Sequence, residues 1–461
     1  MIDLDDAVQR MPPQPKTVRD TGLELSLLVE LVAKTMYAAG KVHLPVLTGK
    51  LRLSVNVLRE VLGFMLAEKL VEVAARGDSD LDVHYQLTSA GKVHGADALA
   101  RSRYAGPAPV TLQAYREMVQ RQRAGQGGHA GQPTQAEVAA AFAEDSLEPQ
   151  VRNLIGAALQ SSRSLLLHGP SGSGKTTLAR KLGQLQRGAV AVPYAVLVER
   201  AIVQIHDPLV HLAAPGQPGQ QGGRAADDWR MVDSRWTLCQ RPLIQVGAEL
   251  GPEMLDLRYD AASGTHHAPP HCMANNGMLL VDDLGRQKIE TADLLNRWSG
   301  PLDTGIDQLT LDGHKVGMPF DLTLVLATNL SPHVLLDDAA MRRVGYKIHV
   351  GALGEAGYRS LFRRQCRLAR IACDDAVLDY LVMRLHGASA RPLLACMPRE
   401  LLGRIADFAG YAGTEARLSN ASLDQAWASM FASCTSGAPA PAQPPVPFFA
   451  ESGDPLVEKI A

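Results

Sequence analysis

The sequence predicts an α/β core, in which a parallel β-sheet is flanked by helices, with a helical lid after it and a smaller domain before it. Three short apolar runs have the length of buried strands, and each ends in polar or glycine-rich residues: Ser164–Leu167, Met278–Val281 and Thr323–Ala327. Apolar stripes with helical spacing continue through residues 352–435. Residues 22–104 carry three helical stripes followed by two short strands.

Length and composition set the frame for this prediction. A chain of 461 residues is expected to form two or three domains, because single cores seldom grow beyond about 250–300 residues. Hydrophobic residues make up 46% and charged residues 20%, which is typical of a globular protein. A net charge of -2 gives no overall attraction to nucleic acid or to acidic membranes.

The sequence also allows a prediction of the cellular location. No apolar run approaches the roughly 20 residues that a membrane-spanning helix needs. The first residues, Met1–Asp6, are acidic where a secretory signal would be basic and then apolar. Six cysteines are scattered without CxxC pairs, which is typical of a reduced protein. We therefore expect a cytoplasmic protein without a membrane span.

Composition changes mark the expected domain boundaries. Ala124–Pro133 is rich in Gly, Gln, His and Ala and is predicted to be a flexible linker. Thr134–Glu137 then has the pattern of a capping box that opens a helix. Ser436–Pro447 is rich in Pro, Ala and Gly, which predicts a disordered tail. The predicted segments are a first domain with a helical extension at 22–123, the linker at 124–133, the α/β domain at 134–351, the helical lid at 352–435 and the tail at 436–461.

The first domain has a recognisable order of elements. The sequence predicts helices at 25–36, 46–51 and 54–66 and strands at 71–74 and 83–88. Three helices followed by a β-hairpin resemble a winged-helix domain, and the segment Tyr85–Gly91 has the ending that is common there.

Winged-helix domains bind either DNA or protein partners, and the charges here favour protein. The third helix mixes basic and acidic residues, and the turn of the hairpin is acidic, which would repel a phosphate backbone. The residues concerned are Asn56, Arg59, Lys69, Glu60 and Glu68 in or beside the helix, and Asp78, Asp80 and Asp82 in the turn. Both interpretations stay open, with protein contact preferred.

The most specific motif is Gly169–Thr176, which fits the Walker A pattern G-x-x-x-x-G-K-[ST] between the apolar run Ser164–Leu167 and a helix-forming run at Thr177–Leu185. Its glycines let successive backbone N–H groups face one phosphate, and the following helix adds a partial positive charge. Lys175 is expected to reach the β- and γ-phosphates of ATP, and the Thr176 hydroxyl to bind Mg²⁺. The residues predicted to contact nucleotide here are Gly169, Pro170, Ser171, Gly172, Ser173, Gly174, Lys175, Thr176 and Thr177.

Two more signatures follow buried strands. Asp282 and Asp283 come directly after Met278–Val281, at the carboxyl end where open α/β sheets bind ligands. Asp282 is predicted to hold Mg²⁺ and Asp283 to polarise the attacking water. Asn329 follows the next apolar run and is suited to orient that water or to contact the γ-phosphate.

Arginine motifs complete the set. Asp337–Val344 contains two adjacent arginines, and Met397–Leu402 opens a helix in the C-terminal part. Taken in this order, the motifs resemble those of the AAA+ ATPases, over roughly Glu137–Ser433. That resemblance implies a P-loop NTPase fold, ATP and Mg²⁺ as ligands, and ATP hydrolysis as the activity.

The resemblance also implies roles for individual residues. Asn329 corresponds to sensor 1 and Arg399 to sensor 2. Arg343 corresponds to the arginine finger that reaches the nucleotide of a neighbouring subunit, with Arg342 as the alternative. Such a finger implies a ring of identical chains, usually a hexamer in this family.

A β-hairpin signal lies between the acidic pair and Asn329, at Gln308–Val316, where two alternating runs surround Asp-Gly. A hairpin at this place, and the preceding helical segment Leu294–Trp298, are similar to the branch of AAA+ proteins that includes the MoxR-like ATPases. The resemblance therefore favours a chaperone-like ATPase that remodels an unknown protein partner or complex. The alternatives are an ATP-switched DNA-binding regulator and an ATP-binding scaffold with little turnover.

Two features depart from the usual pattern. The second acidic residue is Asp283 where AAA+ proteins usually have Glu, so the carboxylate is one methylene shorter and hydrolysis is expected to be slow. The segment between Lys175 and Asp282 is also long, and the sequence places its extra length in a loop at Pro215–Asp228 and a hairpin-like stretch at Leu257–Cys272. Four aromatic residues between Lys175 and Asp282 are candidates for substrate contact, although a place in the core is the preferred interpretation: Tyr194, Trp229, Trp236 and Tyr259.

Overall fold

A computed structural model describes most of the chain. The described residues are 4–76, 83–123, 133–143, 145, 147–215, 231–311 and 313–431. The chain divides into two compact units, Met1–Gly357 and Tyr358–Ala461. The predicted hairpin turn of the first domain, the linker, the loop at 215–228 and the tail lie almost wholly outside the described residues. Within the described ranges, no helix is long and apolar enough to cross a membrane.

The N-terminal part contains the three helices and the hairpin that the sequence predicts. Its antiparallel sheet consists, in spatial order, of the strands Val42–His43, Val83–Leu87 and Val71–Arg76. Ser54 caps the third of these helices, since its hydroxyl accepts a hydrogen bond from Val57 N at 3.3 Å. The elements are α1 Leu4–Arg10, α2 Leu25–Ala39, β1 Val42–His43, α3 Leu44–Leu51, α4 Val55–Ala67, β2 Val71–Arg76, β3 Val83–Leu87, α5 Ser89–Arg101, β4 Val110–Thr111 and α6 Leu112–Arg121, with a 3₁₀ turn at Arg19–Thr21.

The rest of the first unit alternates helices and strands. Its elements up to the middle are α7 Gln135–Ala141, α8 Pro149–Ser161, β5 Leu165–His168, α9 Lys175–Leu185, β6 Ala189–Pro193, β7 Ala195–Val198, β8 Ala201–Gln204, β9 Trp236–Gln240 and β10 Leu243–Val246. They continue with β11 Arg258–Asp260, β12 Thr265–His267, α10 Pro270–Met273, β13 Met278–Val281, α11 Thr291–Thr304, β14 Ile306–Leu311, β15 His314–Pro319, β16 Thr323–Thr328, α12 Pro332–Leu335, α13 Asp338–Arg343 and β17 Tyr346–His349. A 3₁₀ turn lies at Pro252–Leu255.

Five of these strands form the predicted parallel sheet, in the order β10-β13-β16-β5-β17. The three apolar runs that the sequence singles out become β5, β13 and β16. Their side chains are buried on both faces, as expected for a parallel sheet covered by helices. The carboxyl ends of all five strands lie along one edge, and their amino ends along the other.

A second β layer occupies the long segment between α9 and β13, and here the sequence prediction is incomplete. The hairpin predicted at Leu257–Cys272 is present as β11 and β12, with Arg258 opposite His267. The segment also holds β6 to β9, which no sequence signal predicts. One sheet has the order β11-β12-β8-β7-β4, and β6 pairs with β9. These strands have four or five residues with little alternation, because most of their side chains are buried, so no period of two marks them.

The N-terminal part is joined to this layer by a buried ion pair. Arg235 and Asp233 are 5% and 2% exposed, and Arg235 Nη2 lies 2.7 Å from Asp233 Oδ2. Arg235 Nη1 also donates hydrogen bonds to the carbonyl oxygens of Thr21 at 3.0 Å and Pro109 at 3.1 Å. Because the guanidinium satisfies carbonyls from two distant segments, it fixes the N-terminal part against the second layer.

The predicted β-hairpin is present as β14 and β15, and one face of it packs into the core. Leu309 and Met318 are fully buried in a cluster that includes Tyr115 and Met118 of α6 and strands of the second layer. Arg116 Nε donates to Gly317 O at 3.1 Å and holds α6 against β15. The hairpin is therefore packed against the first unit through one face, while alternate residues of β14 are exposed.

A buried carboxylate anchors the hairpin to its neighbours. Asp307 on β14 is fully buried, and Arg297 on α11 donates two hydrogen bonds to it, one of them at 3.0 Å from Nη2. His271 Nε2 lies 2.8 Å from Asp307 Oδ2. Burial lowers the pKa of His271, while the pKa of Asp307 is lowered by its two basic partners against the opposing effect of burial.

Replacing Arg297 by Met is expected to lower the free energy of unfolding of the first unit by about 3 kcal/mol, because the buried Asp307 carboxylate would lose its main partner. Urea unfolding followed by tryptophan fluorescence measures this, since Trp298 is buried beside the network. Arg200→Ala, which removes an exposed arginine after β7, is the control and should stay within about 0.5 kcal/mol. An equally small change in Arg297→Met would contradict the assigned role.

The second unit is helical, as the sequence predicts for the lid. Its elements are α14 Glu355–Ala369, which begins three residues before the division, α15 Asp375–Asp379, a π-helical segment Tyr380–His386, α16 Gly387–Ser389, α17 Met397–Tyr411 and α18 Asn420–Met430. Tyr358, Phe362, Leu378 and Leu401 are fully buried within this unit. The Tyr358 hydroxyl lies 2.9 Å from His386 Nε2, which joins α14 to the π-helical segment.

Candidate functional site

The loop between β5 and α9 has a backbone that only glycine adopts readily at three positions. Gly169, Gly172 and Gly174 have φ values of 146°, 80° and 97°. A Cβ atom on Gly169 would lie 2.2 Å from the carbonyl oxygen of Val350, just beyond β17. The loop therefore fits against the neighbouring strand only with glycine at 169, and it leads directly into the N-terminus of α9.

Lys175, the first residue of α9, is held at the mouth of this loop. Its Nζ donates hydrogen bonds to Gly169 O at 2.9 Å, Pro170 O at 2.8 Å and Asn329 Oδ1 at 2.8 Å. Burial lowers the pKa of Lys175, and the carboxylates of Asp283 and Asp282 oppose that effect. A cationic donor beside a glycine-rich loop and a helix N-terminus is the arrangement that binds phosphate groups.

Thr176 and Asp282 meet at the same edge of the sheet. Thr176 Oγ1 donates a hydrogen bond to Asp282 Oδ1 at 2.9 Å, and Gln245 Nε2 donates to Asp282 Oδ2 at 3.1 Å. A hydroxyl and a carboxylate are the oxygen ligands that Mg²⁺ prefers, so this pair fits the ion that the sequence predicts. No sequence argument found Gln245, although a single amide in the apolar strand β10 is a signal that could have indicated it.

Asn329 links Lys175 to the second acidic residue. Its Oδ1 accepts from Lys175, and its Nδ2 donates to Asp283 Oδ1 at 3.1 Å. Asp283 is exposed and has a φ of 49°, an uncommon value for a residue other than glycine. Gln287 Nε2 donates to Asp282 O at 2.9 Å and supports the turn that carries the acidic pair. Lys175, Asn329, Asp283, Thr176 and Asp282 thus form one continuous polar site.

The remaining loop residues surround this site. Pro170 and Ser171 are exposed, Ser173 is buried, and Thr177 is exposed on the first turn of α9. Their contacts with nucleotide stay predictions from the sequence.

The two arginines of α13 lie elsewhere. Arg342 and Arg343 line a cleft of about 880 Å³ at the amino ends of the strands, where Ser164 precedes β5 and Gly345 precedes β17. Arg343 Nε lies 3.3 Å from Asp303 Oδ2 on α11. The structure therefore does not bring these arginines to the loop of their own chain.

Arg399 lies in the second unit, near the N-terminus of α17, and is exposed. Of the four aromatic residues weighed as substrate contacts, Trp236 is core at 4% exposure, Tyr259 is 56% exposed and Tyr194 is partly buried under Arg52. Trp229 lies outside the described residues.

The fold and the site together define the class. A parallel five-stranded sheet flanked by helices, with a glycine-rich loop leading from its fourth strand into α9, is the P-loop NTPase fold that the sequence predicts. The helical second unit agrees with the same fold class.

Comparisons with known proteins describe the chain as follows. A family model described as a domain of unknown function (DUF8689) matches residues 354–429. No curated protein matches the chain. NtrX from Brucella abortus in complex with ATP is 14% identical, over 61% of this chain and 56% of that one, with a TM-score of 0.38. The Thermotoga maritima RuvB Holliday junction branch migration motor is 15% identical, over 61% and 68%, with a TM-score of 0.34. The chain thus spans little more than half the length of NtrX.

Replacing Gly169 by Ala is expected to abolish nucleotide binding, because the added Cβ would collide with the Val350 carbonyl and the backbone conformation excludes it. Titration with a fluorescent ATP analogue measures the loss, which should exceed about tenfold in Kd. Gly300→Ala on α11 is the control, since nothing lies within 4 Å of its added Cβ. Equal binding by both variants would show that the loop does not hold the nucleotide.

Proposed function

We propose that the chain binds ATP with Mg²⁺ and hydrolyses it. The observation that carries this proposal is the continuous hydrogen-bonded site in which Lys175 and Asp283 share Asn329 and Thr176 contacts Asp282. The ends of two strands, β13 and β16, and the start of α9 contribute these side chains. A site of this composition suits phosphoryl transfer, where the protein mainly positions groups and stabilises charge.

The reaction is attack of a water molecule on the γ-phosphate, in line with the bond to the leaving ADP. The backbone N–H groups of the loop and Lys175 bind the phosphates and neutralise the charge that develops on them. Asp283 accepts a hydrogen bond from the attacking water and Asn329 helps to orient it. Thr176 and Asp282 would hold Mg²⁺, which supplies further charge neutralisation when bound.

Asp283 determines the rate of ATP hydrolysis that we expect. The Asp283 side chain is one methylene shorter than that of Glu, and its carboxylate already accepts a hydrogen bond from Asn329. ATP hydrolysis is therefore expected to be slow. A scaffold that binds ATP with little hydrolysis is the second reading that this residue supports.

The position of Arg343 supports assembly. The arginine lies at the amino edge of the sheet and the nucleotide loop at the carboxyl edge, and strands of four to six residues separate these edges by roughly 13–20 Å. Arg343 can therefore act only on the nucleotide of another copy. Head-to-tail contacts of this kind build rings, and we propose a ring of identical chains, with six as the expected number.

The helical second unit is proposed as a lid that contributes Arg399 to the phosphates. Arg399 is exposed at the start of α17, so its guanidinium is accessible for that contact. The hairpin β14–β15 before Asn329 supports the proposed MoxR-like branch, and cytoplasmic location stays a prediction from the sequence.

The N-terminal part is proposed to recruit a protein partner through a winged-helix arrangement. Near the C-terminal end of α4, Phe64 and Leu66 are 41% and 37% exposed, and Glu68, which follows the helix, is exposed as well. Apolar side chains beside an acidic one suit a protein surface better than a phosphate backbone. We therefore propose remodelling of a protein partner or complex as the function of ATP hydrolysis.

Lys175→Ala is expected to weaken ATP binding severely, because the phosphates lose their main cation. Asp283→Ala should leave binding within about threefold of wild type and reduce turnover at least about 100-fold, since the water loses its acceptor. Binding of a fluorescent analogue and phosphate release measure the two effects, with Arg200→Ala as the control. Normal turnover in Lys175→Ala would refute the ATP site, and normal turnover in Asp283→Ala would remove that residue from the mechanism.

Arg343→Ala is expected to reduce turnover about 1,000-fold while ATP binding at low protein concentration stays unchanged. The wild type should show a specific activity that rises with protein concentration, because each site needs a second chain. Steady-state phosphate release across a concentration series tests both points. A wild-type specific activity independent of concentration, in a monomer by sedimentation, would contradict the shared site.

DNA binding provides the test of the alternative regulator. The acidic charges predict that filter binding to duplex DNA is weak and changes little between 50 and 200 mM salt. Several phosphate contacts would instead give a loss of about 1,000-fold over that range. Tight, steeply salt-dependent binding would favour the DNA-binding regulator.

A further inference from the structure

The cleft at the amino edge of the sheet has more positive charge than a single arginine finger needs. Five arginines and two aspartates line its volume of about 880 Å³. Arg123 lies 3.4 Å from Asp321, and Arg343 lies 3.3 Å from Asp303. The arginines therefore outnumber the available carboxylates, and the cleft suits a ligand with several negative charges.

Arg163 belongs to this cleft and lies beside the end of α13. It is exposed, and its stem packs against Gly345, where an added Cβ would lie 2.8 Å from the Arg163 Cβ. Gly345 follows Arg343 by two residues. The backbone segments that carry Arg163 and Arg343 therefore approach each other closely at the same wall of the cleft.

Ser164 ties these two segments together. Its hydroxyl donates a hydrogen bond to Arg343 O at 3.1 Å and accepts one from Gly345 N at 3.2 Å. Its backbone oxygen accepts from Tyr346 N at 3.0 Å, in the parallel pairing of β5 with β17. Ser164 is 6% exposed, so these contacts are shielded from water. A displacement of Arg343 would therefore carry Arg163 with it.

We propose that Arg163 is a second phosphate-contacting arginine, which acts with Arg343 on the ATP of a neighbouring copy, and that Ser164 positions both. This inference rests on the proposed ATP site and on assembly. The partner is a second copy of this chain because the phosphate loop and the arginine cleft lie on opposite edges of one sheet. Each copy thus presents an anionic nucleotide on one edge and its complement on the other, and the two surfaces can meet only between copies.

Asp303 has a corresponding role in the unassembled chain. It neutralises Arg343 in the cleft, and both side chains are accessible, at 60% and 38% exposure. A triphosphate carries more charge than one carboxylate, so its arrival would displace this contact. No carboxylate among the described residues pairs with Arg163, and its guanidinium is available to the incoming phosphates.

The test uses full-length chains mixed in pairs. Arg163→Ala should lower turnover at least about tenfold and leave ATP-analogue binding by the dilute protein unchanged. Lys175→Ala cannot bind ATP but keeps its cleft. A 1:1 mixture of the two inactive variants should recover about one quarter of the wild-type rate, since about a quarter of head-to-tail contacts then pair an intact loop with an intact cleft.

Further variants separate phosphate contact from structure. Arg163→Lys should keep part of the rate, because it retains charge without the forked donor. Ser164→Ala should lower turnover and be rescued by the same mixing, with Arg200→Ala as the control that needs no rescue. ATP-dependent assembly, followed by sedimentation, gives a readout without turnover, and Arg163→Ala should require at least about tenfold more protein to assemble.

Wild-type turnover and assembly in Arg163→Ala would overturn the proposal. A mixture of Arg163→Ala with Lys175→Ala that stays inactive, although Arg343→Ala mixed with Lys175→Ala recovers, would also overturn it. The loss of Arg163 would then act within its own chain and not on the nucleotide of a neighbouring copy. A wild-type chain that neither binds nor hydrolyses ATP would refute the proposed function itself.

Discussion

The position of β5 between β16 and β17 in an all-parallel sheet is the constraint on which the site depends. It brings the ends of three strands beside the start of α9, so that Lys175 lies within hydrogen-bonding distance of Asn329 although 154 positions separate them. It also places Val350 against Gly169, which leaves no room for a side chain there. The same order puts the start of β17 beside the start of β5, where Ser164 holds the arginine segment. Two sites on opposite edges therefore follow from one strand order.

Much of this arrangement could be predicted from sequence, because the decisive signals are local. The glycine pattern before Lys175 can be recognised from neighbouring residues alone. The strands before Asp282 and Asn329 are buried on both faces, so they appear in the sequence as uninterrupted apolar runs. The hairpin before Asn329 was equally visible through its Asp-Gly turn. The prediction that the three apolar runs form one parallel sheet is confirmed by the order of β13, β16 and β5 within it.

The parts that sequence reasoning missed depend on distant partners. The strands β6 to β9 are short and mostly buried, and β7 pairs with β4 from the N-terminal part, a contact that no local pattern encodes. Gln245 and Ser164 are ordinary polar residues whose roles come only from the side chains or backbone groups that face them. Sequence did assign the arginines of α13 to an intersubunit contact through family resemblance. These arginines lie at the amino edge of the sheet, away from the nucleotide loop of their own chain. This position supports the proposed intersubunit contact, and it could not be predicted from the distance between motifs along the chain.

The Arg235 contacts described above have a consequence for modularity. Thr21 and Pro109 both accept hydrogen bonds from this buried guanidinium, Asp233 N donates to Pro12 O at 2.9 Å, and β4 supplies an edge strand to the second layer. A chain shortened to begin at the predicted linker would expose that edge and leave a buried ion pair without its carbonyl partners. The segment before residue 124 is thus part of the scaffold of the first unit and not an exchangeable attachment. Evolution could vary its outer surface to suit new partners, but could not discard it without rebuilding the layer beneath.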